Sequence, residues 1–187
     1  MSLSSSMHED IEEILISAPV LQARITSLAA AIQEDYAGRQ LLLVGILRGA
    51  MMFMADLARH LDMPLEMDFM AISSYGSATE SSGVVRILKD LDTSIEGRHL
   101  LIVEDIIDSG LTLKYLTENL ARRNPASIAI CALLDKVKAH GDDIIQPQYT
   151  GFNIPSRFVV GYGLDYAQKY RNLPYIGVLK PSVYTGE

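Results

Sequence analysis

Three acids fall within five residues at Glu104, Asp105 and Asp108, and Ser109, Gly110 and Thr112 follow them. Two adjacent carboxylates suit ribose hydroxyls or a hydrated divalent cation, because both take hard oxygen acceptors. A small, hydroxyl-rich turn running into a helix start offers backbone N–H groups and a positive dipole end to a phosphate. Asp, Ser and Thr also stand at such turns merely as N-caps, which accounts for Asp108, Ser109 or Thr112 one at a time. It accounts poorly for Glu104 and Asp105 together, since a cap needs one acid. The stretch reads as a site for a sugar phosphate.

The elements that must position it are legible on either side. Residues 100–103 are a continuous apolar run, as in a strand buried on both faces of a parallel sheet. The acids arrive where that strand should end, at the carboxyl edge where open α/β sheets bind ligands. Leu113, Leu116 and Leu120 then give a helical pattern, predicting a helix over 112–123 that Asn124-Pro125 stops. Further strands are predicted over 41–47, 65–72, 84–88, 98–103 and 127–134, a helix over 50–61, and apolar pieces at 158–160 and 175–179. Apolar positions from Ile11 to Leu28 predict helix over 8–33, divided in two by Pro19. Residues 73–83 lack periodicity and have the length of a lid, a binding loop or a disordered segment. Strands alternating with helices predict an α/β fold with a mostly parallel central sheet flanked by helices.

Composition narrows the function class. The 187 residues fit one domain, read as 8–187 behind a small polar leader over 1–7 taken as disordered. Apolar residues make up 49%, yet no run reaches the length of a membrane span and no secretory signal precedes the first helix, so no membrane partner is expected. The one cysteine, Cys131, lies in an apolar run and reads as a packing thiol in a reducing cytoplasm. The four histidines show no metal-ligand spacing, and a net charge of −7 argues against nucleic-acid binding through phosphates.

The stretch Val-Glu-Asp-Ile-Ile-Asp-Ser-Gly-Leu-Thr-Leu over 103–113 closely resembles the phosphoribosyl pyrophosphate (PRPP) motif of purine phosphoribosyltransferases, in particular the hypoxanthine-guanine type. Three other segments resemble that family. Gly45 to Ala50, GILRGA, resembles its pyrophosphate loop, which commonly carries Lys-Gly or Arg-Gly with a cis peptide before the glycine. Ser74-Tyr75 resembles the start of its mobile active-site loop, and residues 157–171 (RFVVGYGLDYAQKYR) resemble its base-binding segment. The resemblance covers about 43–179, with Leu111 a departure where relatives can carry lysine.

The resemblance implies a type I phosphoribosyltransferase-like fold with a small hood built from the chain ends. It implies purine salvage, with transfer of the 5-phosphoribosyl group from PRPP to N9 of hypoxanthine or guanine, giving IMP or GMP and pyrophosphate. Glu104 and Asp105 would hold the ribose hydroxyls and hydrated Mg2+. Asp108 would take or share the proton at purine N7, and Ser109, Gly110, Leu111 and Thr112 would hold the 5-phosphate. Arg48, Gly49 and Arg171 would contact pyrophosphate, and Ser74 and Tyr75 would close over the reacting centre. Lys136 would donate to the purine 6-oxo group, Phe158 would stack on the ring and Val159 would offer backbone groups to its edge. Asp165 would bind Mg2+ directly or through water. A homodimer or homotetramer is implied. Two rivals stand beside this reading: a nucleic-acid-binding regulator with the same fold, which the acidic balance disfavours, and a transferase for another base such as xanthine or orotate.

Overall fold

The computed structural model describes residues 7–75, 84–136 and 146–185. The central sheet is built on three segments whose side chains are apolar in both directions. They are β2 (Leu41–Leu47), β5 (His99–Ile107) and β6 (Ser127–Asp135). Alternate residues of each enter opposite cores: Leu41, Leu43, Leu101, Val103 and Cys131 face one side, and Leu42, Val44, Leu100, Ile102 and Ile130 the other. Burial on both faces is what makes these strands unbroken apolar runs. The first side is covered by helices α1 (Ala18–Asp35) and α2 (Met51–His60), through Leu21, Ile25, Phe53 and Leu57. The second is covered by α3 (Leu111–Ala121), through Leu113, Leu116 and Leu120. Burial pushes the Cys131 thiol up to about 12, which leaves it an inert packing group.

Two outer strands on one side, β3 (Leu65–Tyr75) and β4 (Val84–Lys89), and β7 (Tyr149–Asn153) on the other complete the order β4-β3-β2-β5-β6-β7. All neighbours are parallel except β3 and β4, so the expected α/β class with a mostly parallel sheet holds. A second, antiparallel sheet joins the two ends of the chain in the order β1-β9-β8, from β1 (Ile11–Ile16), β8 (Val159–Val160) and β9 (Ile176–Leu179). A short C-terminal helix α4 (Pro181–Tyr184) follows. Among the described residues no helix is long and apolar enough to cross a membrane.

Several expectations are corrected. The helix expected over 8–33 is present only from Ala18 on: a 3-10 turn, Met7–Asp10, and strand β1 come before it. Strand β1 carries two register shifts against β9, between Ile11 and Glu13 and between Ile14 and Ile16. Those irregularities spread its apolar residues at intervals that mimic a helix. Pro19 does not split a helix but sits in the first turn of α1, where its missing N–H costs nothing. Met7 belongs to the opening turn rather than to a leader, and the rest of that leader lies outside the described residues. The 73–83 loop is shortened at its start, because the backbone of Ser73 to Tyr75 extends β3 and pairs with β4. Its remainder, 76–83, lies outside the described residues, as do the side chains of Ser74 and Tyr75.

Candidate active site

The acids do not end the central strand. Strand β5 runs on through Glu104 and Asp105 to Ile107, paired with β6 at Glu104–Ala132, Ile106–Leu134 and Ile107–Asp135. Its pairing with β2 stops at Gly45–Val103. The two acids therefore occupy the stretch where β2 has left β5, so a crevice opens at the carboxyl edge of the sheet. Both are half-buried and lie side by side. Burial, then the Asp105 charge and a shared hydrogen bond, push the Glu104 carboxyl well above the usual range. Burial likewise raises Asp105 to about 6, against the pull of the Ile106 N–H (2.9 Å) and of Arg171. Two carboxylates that resist ionising together favour a cation beside them.

One end of this ledge meets the turn after β2. A Cβ added to Gly49 would lie 1.6 Å from Asp105 Oδ2, so only glycine lets the turn reach the carboxylate. Arg48 follows a cis peptide at Leu47–Arg48, one bond ahead of the position implied by the resemblance. Its Nη1 donates to Gln168 Oε1 at 2.8 Å. Gln168 also accepts from Arg171 Nη2 (3.2 Å), and Arg171 Nη1 donates to Gly163 O at 2.7 Å. Two guanidinium groups thus share one amide above the Gly49 turn. Asp165 lies in the same cluster, paired with Arg171 at 2.7 Å and accepting the Gln168 N–H at 2.9 Å, so both its oxygens are engaged.

The other end meets the start of α3. The N-cap is Gly110 at φ 70°, and no side chain caps the helix. Asp108 and Ser109 are therefore not caps, and the first turn, beginning with Leu111 and Thr112, carries no acid against its positive end. A pocket of about 120 Å3 is lined here by Glu104, Asp108, Ser109, Gly110 and Thr112. Asp108 points outward and pairs with Lys136 Nζ at 3.2 Å, while the Lys136 N–H donates to Ile107 O. Just before β8, Phe158 is 39% exposed, stacked on Tyr184 with centroids 4.9 Å apart and edge-on to Tyr166. Val159 buries its side chain, but β8 is an edge strand of its sheet, with backbone groups directed outward.

Among the described residues no three His, Cys, Asp or Glu side chains gather into a metal cage. The Glu104–Asp105 pair fits Mg2+ instead as one side of a shared shell, because that ion is usually held by one or two carboxylates plus substrate phosphates.

Residues 11–167 match the family model for the phosphoribosyl transferase domain. The chain is 56% identical over 178 residues to hypoxanthine-guanine phosphoribosyltransferase of Bacillus subtilis, covering 95% of this chain and 98% of that one. This chain belongs to the hypoxanthine-guanine phosphoribosyltransferase family. It is also 53% identical to the bifunctional protein TilS/HprT of Listeria innocua, of which it spans 28%. A crystal structure of hypoxanthine phosphoribosyltransferase from Staphylococcus aureus superposes with a TM-score of 0.92 at 49% identity, covering 98% of this chain and 99% of that one.

Within this family member, sequence reasoning missed Gly163 and Gln168. Gly163 takes φ 103° and a Cβ there would lie 2.0 Å from Gly49 O, while Gln168 joins Arg48 to Arg171. The only signal for the first was the pair of glycines flanking Tyr162, and for the second there was none. Gly49→Ala should raise KM for PRPP roughly 10–100-fold, since a displacement near 1 Å at a reacting site carries such a penalty. Steady-state kinetics with varied PRPP checks this, and an unchanged KM would remove the Gly49 contact from the site.

Proposed function

We propose that the protein transfers the 5-phosphoribosyl group of PRPP to N9 of a 6-oxopurine, hypoxanthine or guanine, with release of pyrophosphate. One observation carries the reading. The acidic ledge has an anion-binding arrangement at each end: Arg48, Gly49 and Arg171 at one, the uncapped start of α3 at the other. A ribose with pyrophosphate at one carbon and phosphate at another matches that spacing of charges.

In this reading Glu104 and Asp105 hold the ribose hydroxyls. The backbone of Ser109, Gly110, Leu111 and Thr112, with the two hydroxyls, holds the 5-phosphate. Arg48, the Gly49 N–H and Arg171 hold the pyrophosphate. Phe158 stacks on the purine, the outer edge of β8 at Val159 reads its polar edge, and Lys136 donates to the 6-oxo group. The N9–C1′ bond forms as the C1′–O bond to pyrophosphate breaks, and Asp108 takes the proton at N7. Mg2+, when bound beside Glu104 and Asp105, supplies positive charge to the departing pyrophosphate. Asp165 contributes through water, its own oxygens being committed to Arg171 and Gln168. Ser74 and Tyr75 begin the segment that closes over the centre and excludes water. We further take residues 8–187, with Met7 of the opening turn, as one catalytic domain that acts in the cytoplasm as a homodimer or homotetramer.

The test is an assay of purified protein with PRPP, Mg2+ and each free base, expecting IMP from hypoxanthine or GMP from guanine. Failure with every purine would overturn the proposal. Lys136→Ala should weaken 6-oxopurine use by about 1.5–3 kcal/mol, the worth of a charge-assisted hydrogen bond. If the ratio of hypoxanthine to adenine turnover does not move, Lys136 does not read the base.

A further inference from the structure

Tyr162 stands between Gly161 and Gly163 at φ 50°, in the left-handed region that a bulky residue occupies only when its surroundings impose it. The imposing contact is visible. Its side chain is buried and its hydroxyl donates to Asp56 Oδ2 on helix α2. The same oxygen accepts from Gln22 Nε2 of α1 at 2.8 Å, so two helices and the loop after β8 converge on one carboxylate. Burial, then the bond to Asp56, push the phenol above its ordinary range, and the hydroxyl stays protonated as a donor.

The consequence lies one residue on. Gly163 packs its Cα against the carbonyl of Gly49, its N–H donates to Arg171 O and its carbonyl accepts from Arg171 Nη1. Gly49 in turn has no space for a side chain before Asp105. Tyr162 is thus anchored to the helix that opens two residues after Gly49, while its neighbour Gly163 packs against the Gly49 carbonyl. The turn is held between two points fixed to each other by one hydrogen bond.

We infer that Tyr162 and Asp56 form a positioning pair that sets the Arg48–Gly49 turn and Arg171 for the pyrophosphate group, an inference resting on the proposed phosphoribosyl transfer. Neither residue reaches the substrate groups assigned above. Their effect therefore belongs in pyrophosphate affinity and not in base affinity.

Tyr162→Phe removes only the hydroxyl. It should raise KM for PRPP roughly 3–30-fold, the range for coupling through packed neighbours, and leave KM for hypoxanthine unchanged. Asp56→Asn keeps an acceptor and should shift KM for PRPP less than Asp56→Ala does. Tyr162→Phe with Asp56→Ala should be no worse than the more severe single change, because both break the same bond. Equilibrium titration with inorganic pyrophosphate and Mg2+ should show the same weakening without any turnover. A purely structural tie predicts a lower melting temperature with both KM values and the pyrophosphate affinity unmoved, and that pattern would overturn the inference. If the wild-type protein makes no nucleotide, the proposed reaction fails by itself, and the pyrophosphate titration still decides the role of Tyr162.

Discussion

Stripping divalent metal with a chelator should lower nucleotide formation from PRPP and hypoxanthine by about 10³-fold or more, the rate equivalent of several kcal/mol of lost charge stabilisation. Glu104 and Asp105 are adjacent, half-buried and both raised by burial, the second to about 6, and the Asp105 charge raises Glu104 further. Near neutral pH such a pair attracts a cation that offsets its repulsion. As pH falls through about 6, protons take the cation's place, so the Mg2+ concentration needed for half-maximal rate should rise on the acid side. Rate measurements over a Mg2+ series at several pH values check both statements. Undiminished turnover without metal would defeat the mechanism, and a Mg2+ requirement independent of pH would remove Asp105 from the metal's surroundings.

Parts of this arrangement were legible in the sequence for a definite reason. Strands β2, β5 and β6 are covered on both faces, so burial writes itself into the chain as uninterrupted apolar runs. The glycine and hydroxyl turn before α3 is a local feature, readable wherever it occurs. Strand β1 was not legible, because its two bulges against β9 break the alternation that identifies a strand. Nor was β7, five residues long with a glycine at its centre, Gly151, set so close to β6 that a Cβ would lie 2.3 Å from Leu133 O. The extent of β5 past its acids was misjudged for a third reason. Acids avoid a strand paired on both sides, but here β2 has already departed and only β6 remains alongside. At the candidate site, Gly163, Gln168 and Tyr162 owe their places to contacts with residues more than a hundred positions away. No local pattern can announce a partner that distant.

Asp108→Asn should lower kcat by about 10²–10⁴-fold, the usual span for a general acid–base group, while PRPP binding largely survives. The side chain lies just past the end of β5, beyond the Glu104–Asp105 pair and before the phosphate turn, and it reaches toward Lys136 at 3.2 Å, the residue assigned to the base. It can therefore meet the purine while Glu104 and Asp105 meet the ribose. The 5-phosphate cradle should be untouched, since it is made of backbone groups at the start of α3 that Asp108 does not cap. Stability should change little as well, because Asp108 is 61% exposed and a solvent-screened pair of this kind contributes about 0–1 kcal/mol. Neutralising Glu104 and Asp105 together should do the reverse, weakening PRPP binding and its dependence on metal. A capping role for Asp108 makes the opposite forecast, because Asn caps helices about as well as Asp and the variant would be silent. Steady-state kinetics with a direct measurement of PRPP binding, on the Asp108→Asn enzyme and the doubly neutralised one, separates the two. A fully active Asp108→Asn enzyme would leave the N7 proton to water and take Asp108 out of the chemistry.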